Sequence, residues 1–482
     1  MAVPMRQTIA ATMSGVPLDR EKPARKDLRV NLLGVVELLL KHLTPSLCKT
    51  VFKRYRQTER ERRWTLYALA LFWVSMMVRQ PSSLKEGVHA TRKGRGREKL
   101  WPRVNARARA FFEKAAGQRP ELFMRLYRAF LESILPKAPQ AYASWMKGLR
   151  RHFPDIYIVD GSRLDAVCHR LKIVWDQRAQ LLPGCMTVFY DLFRGVCREV
   201  LFFPDAAQAE LPRAQFALDW MRPGSLFVGD AMYGNLNYFH AIAKQRLFGL
   251  FRRNKHLKIR RILVLSRRQG SRSFLEDVLV EIGGIVNASR RIQVRMIRYR
   301  GQGQKLDMFT SVLDPKKLSA QDAVALYGLR WSVERLFLDL KETLELHTLY
   351  ASHPNLVAQQ VYAAAMVHAA FRIAQARIAK SAKILPEQLS PAKLFPQLAR
   401  AIHDYCVCLL RDDEIRRLNP GAKIRFPSLR SMPFAYAKIE SILRERRSPH
   451  RRRRRACAGT GRWKSYAHVP GGPTLLQTAS VG

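Results

Sequence analysis

The chain has 482 residues and carries 85 Lys and Arg side chains against 38 Asp and Glu, a formal net charge of +47. Its length is enough for about two to four domains at ~150 residues each, and its 47% hydrophobic content excludes a chain that is disordered throughout. So large an excess of positive charge destabilises an isolated compact protein, which points to a polyanionic partner, either nucleic acid or an anionic membrane surface.

A membrane span and a disulfide framework are both disfavoured by the sequence. The longest apolar stretch, Trp64–Val78, is shorter than the roughly 18 residues that a spanning helix needs, so it predicts a buried core helix. The N-terminus has no charged region followed by a long apolar one, so we expect no secretory signal. The seven cysteines are odd in number and scattered, which is typical of reduced, mostly buried thiols.

The first third of the chain has a helical pattern. Apolar residues recur at three- and four-residue spacing from about 30 to 145, interrupted at Thr44-Pro45-Ser46 and Pro81-Ser82-Ser83. Residues 1–150 hold 31 basic and 11 acidic side chains, and 92–97 form a basic, glycine-containing loop suited to phosphate contacts. We expect residues 1–145 to form a helical DNA-binding domain.

Short β-type runs begin near residue 150 and alternate with helical stretches. Continuous apolar strands of this kind predict an α/β sheet that is covered on both faces. The expected strands are Ile156–Val159, Met186–Tyr190, Glu199–Phe203, Leu226–Val228 and Phe248–Phe251.

The second half of the chain is predicted to contain a strand-rich block, two helical segments and a basic tail. A strand-rich block at 252–317 holds 17 basic and 5 acidic side chains, and helices resume from 319 to about 380. A helical C-terminal segment follows at 381–443. The arginine-rich remainder, 444–482, has no periodic apolar face, so we expect a disordered basic tail.

Two aspartates follow apolar strand runs in this basic chain. Asp160 precedes Gly161-Ser162, and Asp230 precedes Ala231-Met232-Tyr233-Gly234. Ligands of open α/β sheets bind beyond the carboxyl ends of the strands, so both carboxylates are candidates for one cleft. The alternative for each is an ordinary cap of the turn that follows.

A polar strip is predicted on the helical stretch that follows residue 319. If the helix is continuous, Tyr327, Arg330, Glu334 and Lys341 fall within an arc of about 60° at ~100° per residue, away from the leucine-rich packing face. The alternative is a solvated face in which Arg330 and Glu334 form a weak i, i+4 pair.

These residues carry a family resemblance. The spacing Y-x2-R-x3-E-x6-K resembles the signature of one large group of DDE transposases of bacterial insertion sequences. The order of the surrounding motifs is similar too: a strand ending in Asp-Gly-Ser, one from Pro183 to Asp191, a strand ending in Gly-Asp before Tyr-Gly, and Arg330-Trp331. The resemblance covers residues 150 to 375.

The resemblance implies a fold and a site. The fold is α/β, an RNase H-like catalytic core at 150–380, a mixed sheet with flanking helices, interrupted by the β-rich insertion 252–317 and preceded by an all-α domain. Asp160, Asp230 and Glu334 would be the catalytic, metal-binding triad. Tyr327, Arg330 and Lys341 would contact DNA phosphates, Arg330 by two parallel hydrogen bonds.

The implied chemistry and partners follow from that site. Three carboxylates suit Mg²⁺, with Mn²⁺ as a possible substitute, in two-metal phosphodiester chemistry. The expected partners are double-stranded DNA, both transposon ends and target, and a second copy in a synaptic homodimer, with no membrane. The expected location is the bacterial cytoplasm, at the nucleoid.

One departure and two alternatives accompany the resemblance. Some relatives stack a flipped base on a tryptophan of the β insertion, but residues 252–317 contain none, so only Phe274, Tyr299 or Phe309 could substitute. A catalytically silent DNA-binding protein derived from a transposase and a host nuclease on the same fold are the other functional interpretations.

Overall fold

The architecture was obtained as a computed structural model, which describes residues 29–31, 33–93, 101–138, 144–163, 184–205, 210–271, 273–283, 291–301, 304–340, 349–398, 400–401, 404 and 436–442. All of these belong to one unit, residues 5–443, and the second unit, residues 1–4 and 444–482, lies outside the described residues. The basic tail and the signature lysine, Lys341, are therefore outside them as well.

Helices dominate residues 34–134, as their periodicity predicts. Thr44 and Thr65 each cap a helix by accepting a hydrogen bond from the backbone N–H three residues on, at 3.1 Å. The helix predicted at Trp64–Val78 is present and almost entirely buried. The helices are α1 (Gly34–His42), α2 (Pro45–Tyr55), α3 (Leu66–Arg79), α4 (Leu84–Lys93), α5 (Ala108–Ala116) and α6 (Pro120–Ile134).

The later helices surround a sheet and include one of 29 residues. They are α7 (Lys147–Arg150), α8 (Glu210–Gln215), α9 (Leu236–Lys244), α10 (Ala320–Gly328), α11 (Trp331–Leu338), α12 (Pro354–Ala382) and α13 (Ile439–Ile442). In the described ranges, no helix is both long and apolar enough to span a membrane.

Each predicted strand run lies in an observed strand. Beside a small antiparallel pair, β1 with β11, the strands form one nine-stranded sheet in the order β4-β3-β2-β5-β6-β10-β9-β8-β7. The strands are β1 (Arg29–Asn31), β2 (Ile156–Arg163), β3 (Cys185–Asp191), β4 (Val196–Phe203), β5 (Leu226–Gly229), β6 (Phe248–Arg252), β7 (Ile259–Gln269), β8 (Ser273–Ile282), β9 (Ile292–Gly301), β10 (Gln304–Thr310) and β11 (Tyr436–Lys438).

The sheet is mixed, and the strand-rich block at 252–317 extends it. β2, β5 and β6 are parallel neighbours, whereas the pairs on either side of them are antiparallel. The last strand of the block, β10, pairs with β6. Strands β9, β8 and β7 follow in that order to the far edge of the sheet. The expected α/β class with a large mixed sheet and helices beside it is confirmed.

Two hydrophobic cores lie on opposite faces of the sheet, because alternate residues of each strand point to opposite faces. One core joins Ile158 and Val228 to α10 and α12, and it continues into the helices of residues 34–134. The other holds Val159, Phe227 and α9. Buried polar contacts link the first core to the N-terminal helices, since the Trp73 indole N–H donates to Gln359 Oε1 at 2.9 Å.

Candidate active site

Asp160 lies on the central strand of the sheet. The strand β2 continues through Gly161 to Arg163, so this aspartate is inside the strand. The sequence-based prediction that Asp160 closes the strand is therefore wrong. Its Oδ1 accepts a hydrogen bond from the Gly161 N–H at 3.0 Å. Its side chain is about one-fifth exposed. The carboxylate is therefore reachable from solvent while its backbone is held by pairing with Val188 of β3.

Asp230 immediately follows β5, as predicted, and its Oδ1 accepts from the Met232 N–H at 2.8 Å. The capping role that we gave as the alternative is thus observed. Because β2 and β5 pair in parallel up to Ile158 and Val228, each aspartate stands two residues beyond the same level of the sheet. The geometry brings Asp160 and Asp230 to one edge, on neighbouring strands.

Close packing explains the glycines around Asp230. A Cβ on Gly229 would come within 2.9 Å of the Tyr233 ring, which is fully buried. A Cβ on Gly234 would lie 2.5 Å from the carbonyl oxygen of Arg252, on the next strand. The Gly-Asp and Tyr-Gly pairs therefore allow the loop to fold tightly back onto the sheet, which fixes the position of Asp230.

The signature segment is two helices and not the continuous helix that we predicted. α10 ends at Gly328, a turn covers Leu329 and Arg330, and α11 begins at Trp331. The arc calculated for an unbroken helix does not apply across this turn. Tyr327 lies in the last turn of the first helix, whereas Arg330 directly precedes the helix that carries Glu334 in its first turn.

Arg330 connects the strand and the helix of the site. Its Nη2 donates to Glu334 Oε1 at 3.0 Å, and its Nη1 lies 3.7 Å from Asp160 Oδ2. Its guanidinium also lies 5.0 Å from the centre of the Trp331 ring. The i, i+4 pair that we gave as the alternative is present, but it is part of a larger contact because the same guanidinium reaches across to β2.

The ionisation of Tyr327 and Arg330 reflects this setting. Burial raises the pKa of the Tyr327 hydroxyl and Asp230 adds to the effect, while Arg330 and Arg252 oppose it. Burial alone would lower the pKa of Arg330, but Tyr327, Asp160 and Glu334 hold it above its ordinary value. Both groups therefore keep their protons at neutral pH, as hydrogen-bond donors toward an anion must.

The donor set at this edge fits a hard divalent cation in its chemistry. Asp160, Asp230 and Glu334 offer only carboxylate oxygens, the ligands that Mg²⁺ prefers. Arg330 already provides a positive charge to two of them. Among the residues that the structure describes, no three His, Cys, Asp or Glu side chains are gathered closely enough to hold a metal ion.

Other acidic and aromatic residues near the site have structural roles. Asp155 and Asp191 are buried and share Arg194, whose Nη1 lies 2.6 and 2.8 Å from their carboxylates. Tyr299 and Phe309 are fully buried in the two cores, so neither ring is available for base stacking. Phe274 is only partly buried.

Sequence reasoning missed Arg252. It ends β6, and since Gly229 pairs with Phe251, it stands at the level of Asp230 on the next parallel strand. Its charge acts on the Tyr327 hydroxyl by lowering its pKa. The signal in the sequence was its position, because it directly follows the third parallel strand run, as Asp230 follows the second.

Two comparisons with known proteins agree with this geometry. Residues 151–369 match the family model described as the transposase DDE domain. The chain is also 27% identical over 155 residues to a Sinorhizobium fredii protein named "Putative transposase y4zB". That match covers 31% of this chain and 43% of the relative, so the chain spans less than half of the relative's length.

Proposed function

We propose that the protein is the transposase of a bacterial DNA insertion sequence, on the premise that residues 151–369 match the transposase DDE domain. It binds the terminal inverted repeats of the element, cleaves a strand at each end and transfers the ends to a target. The mixed sheet with helices packed beside it supports an RNase H-like catalytic core at 150–380.

One observation carries the proposal. Asp160 and Asp230 stand at the same level of neighbouring parallel strands, and Arg330 ties the Glu334 carboxylate to Asp160. These three acidic residues are separated by 70 and 104 positions in the chain. The two aspartates stand at the carboxyl end of the parallel strands, which is where ligands of α/β sheets bind.

The triad would hold Mg²⁺, with Mn²⁺ as a substitute. When bound, two such ions supply an activated water or 3′-hydroxyl and stabilise the leaving oxygen in phosphodiester chemistry. The chain itself fixes the two aspartates on the sheet and presents Glu334 from the first turn of α11. Tyr327, Arg330 and Lys341 bind the phosphates at the transposon end.

The remaining segments supply DNA contacts. We propose residues 1–145 as the helical domain that recognises the inverted repeats, because they carry 29 basic and 11 acidic groups. Two ends must be brought together, so the active form is a homodimer. The β-rich insertion 252–317, the helical segment 381–443 and the basic tail 444–482 complete the organisation.

Cleavage of a defined duplex tests the proposal. Purified protein with Mg²⁺ and a duplex that carries the element's own terminal repeat is expected to give a nick with a 3′-hydroxyl at the boundary. Asp160→Asn, Asp230→Asn and Glu334→Gln should each abolish the nick and keep binding to the repeat. Asp219→Asn, in an exposed hydrogen bond with Gln245, is the matched control and should cleave normally.

The outcomes separate the alternatives. If all three triad variants still nick the duplex, the proposed active site is wrong. Tight binding to the repeat without any nick from the wild type would identify a silent DNA-binding protein. Nicking without strand transfer to a second duplex would identify a nuclease.

A further inference from the structure

A row of alternating charges crosses the sheet from the candidate site to the far edge. The Arg253 N–H donates to the Asp307 carbonyl at 2.8 Å, Asp307 pairs with Arg298, Arg298 with Glu276, and Glu276 with Arg267. We call these five residues the charge ladder. With adjacent strands about 4.8 Å apart, it extends over roughly 19 Å.

The charge ladder lies on the opposite face of the sheet from Asp160 and Asp230. Ile297 and Met308, which alternate with ladder residues, pack in the core that contains α10. Met296 and Phe309 belong to the core on the other face, the side to which the ladder residues Arg298 and Asp307 also point. The ladder begins one residue beyond Arg252, next to the end of the parallel strands at which Asp160 and Asp230 lie.

Glu276 makes the most ion pairs of the ladder residues. Its side chain is only 1% exposed, yet three guanidiniums converge on it. Arg267 Nη2 donates to Oε1 at 2.7 Å, Arg261 Nη2 to Oε2 at 3.3 Å, and Arg298 Nη1 lies 3.5 Å from Oε2. Although burial alone would raise the pKa of Glu276, these arginines lower it, so the carboxylate stays charged.

The neighbouring residue shows what a purely structural ion pair looks like in this sheet. Asp277 faces the other side and binds one arginine, Arg295, with its Oδ1 3.1 Å from Nε. Both side chains are buried, and Arg295 completes its bonding with the carbonyl oxygens of Val312 and Leu318 at 3.1 and 2.9 Å. In this pair, one buried carboxylate is neutralised by one buried guanidinium.

Glu276 differs from Asp277 in the number of its arginine partners and in their exposure. One buried carboxylate faces three cations, and the side chains of Arg261 and Arg267 are 47% and 58% exposed. A guanidinium has five N–H donors, so a single carboxylate leaves most of these donors for solvent or a ligand. The buried Glu276 carboxylate holds the guanidinium groups in place, and the excess of positive charge faces solvent.

Rigidly held, outward-facing guanidiniums are suited to phosphate, which they bind by charge-assisted and often paired hydrogen bonds. Because the carboxylate restricts the side chains before binding, less conformational entropy is lost when a ligand arrives. A row of such groups beside the catalytic edge matches a repeating phosphate chain better than a single small anion.

We propose that Arg261, Arg267 and Arg298, organised by Glu276, bind the phosphodiester backbone of duplex DNA as a second track on the face opposite the active site. The inference rests on the proposed function for its choice of DNA as ligand. It assigns the β-rich insertion a phosphate-binding role that needs no stacking aromatic and reads no base sequence.

Salt titration of DNA binding tests this track. The double variant Arg261→Gln/Arg267→Gln should bind a 30-base-pair duplex more weakly, and the slope of log K against log salt should become shallower by about 0.9 for each phosphate that the variant no longer neutralises. Arg260→Gln is the matched control, because Arg260 is on the same strand, 70% exposed, and paired with Glu281 instead. It should change the slope less than the double variant does.

Thermal melting of each variant shows whether it is folded, and the two single variants replace the double variant in the test if that protein does not fold. A slope equal to that of the wild type in the folded double or single variants would overturn the inference. Cleavage by the wild type with an unchanged slope would leave the proposed function intact and reject only the track. A shallower slope in a protein that never cleaves would support the track and reject the catalytic proposal.

Discussion

The Arg330 guanidinium donates a hydrogen bond to the Glu334 carboxylate, 3.0 Å away and one helical turn further along the chain. The same guanidinium lies 3.7 Å from Asp160, so one cation spans the gap between the sheet and α11. Partly buried charged groups of this kind destabilise the fold unless they are paired. Here the pairing also orients the Glu334 carboxylate, whose side chain is 36% exposed.

Replacing Arg330 is therefore expected to impair catalysis more than folding. Arg330→Gln should lower the rate of end cleavage by about 10²- to 10³-fold, the usual loss when one positioned donor is removed from an active site. Arg330→Lys should recover only part of the rate, because an ammonium cannot reproduce the two-pronged geometry. Single-turnover cleavage of the terminal-repeat duplex measures both.

Arg335 provides the control for that variant, since it lies in the same helix and donates to Ser332 Oγ at 3.4 Å. Arg335→Gln should retain most of the cleavage rate. Equal losses at positions 330 and 335 would indicate that charge on α11, and not the contact with Glu334 and Asp160, supports cleavage.

The buried pair Arg295–Asp277 is expected to control stability near the site. Arg295 holds the carbonyl oxygens of Val312 and Leu318, just before α10 begins at Ala320. Arg295→Met alone should lower the free energy of unfolding by about 3–5 kcal/mol, because it leaves the Asp277 charge buried and unpaired. Urea denaturation followed by circular dichroism measures the loss.

The double variant Arg295→Met/Asp277→Leu distinguishes pairing from packing. Removing both charges should restore much of the stability, since no unpaired charge is left in the core. Arg260→Gln, which breaks an exposed ion pair, should change stability by no more than about 1 kcal/mol. A double variant as unstable as the single one would show that the arginine acts through its contacts with Val312 and Leu318.

Local patterns were enough to predict most of the sheet, because its strands are short continuous apolar runs such as Leu226–Val228. The break between α10 and α11 was missed although Gly328 marks it, since the apolar periodicity continues through the turn. Asp160 and Asp230 lie at the same level because of the register between β2 and β5, which are far apart in the sequence. The contact from Arg330 to Asp160 likewise joins residues that are distant in the chain. Neither is encoded in any short segment.

Gln359 is expected to be essential to the packing of the N-terminal helices on α12. Its Oε1 accepts from the Trp73 indole at 2.9 Å, and its Nε2 donates to the Ala115 carbonyl at 2.7 Å, all in the buried core. Gln359→Leu leaves both partners unsatisfied, each at about 1–3 kcal/mol. Gln245→Ala, which removes an exposed hydrogen bond to Asp219, is the control and should cost about 0.5 kcal/mol or less.

Chemical denaturation of the two variants measures these costs. A loss in Gln359→Leu no larger than that in Gln245→Ala would show that the contacts of Gln359 add nothing to the interface between α12 and the N-terminal helices. We expect instead a clear reduction, since Trp73 and Ala115 are both fully buried and their polar groups cannot turn to solvent for a replacement partner.

The burial of His368 is expected to make the stability of the folded protein depend on pH. His368 is buried in α12, and its Nε2 lies 3.9 Å from Asp339 Oδ2, at the end of the helix that carries Glu334. Burial lowers the pKa of His368 below its ordinary value, and Arg372 adds to this, while Asp339 opposes it only in part.

The sign of the effect follows from proton binding. In the unfolded chain His368 takes up a proton near its ordinary pKa of about 6.5, whereas the folded protein resists protonation, so acidification favours the unfolded state. The stabilisation is complete above the ordinary value and is lost as the pH falls through the lowered pKa. We expect the melting temperature to drop as the pH falls below about 6.5, and to drop less in His368→Gln because that side chain does not titrate. An identical pH profile for the two proteins would assign the acid sensitivity to other groups, such as the carboxylate of Glu59, whose pKa is lowered by Arg119 although burial acts to raise it.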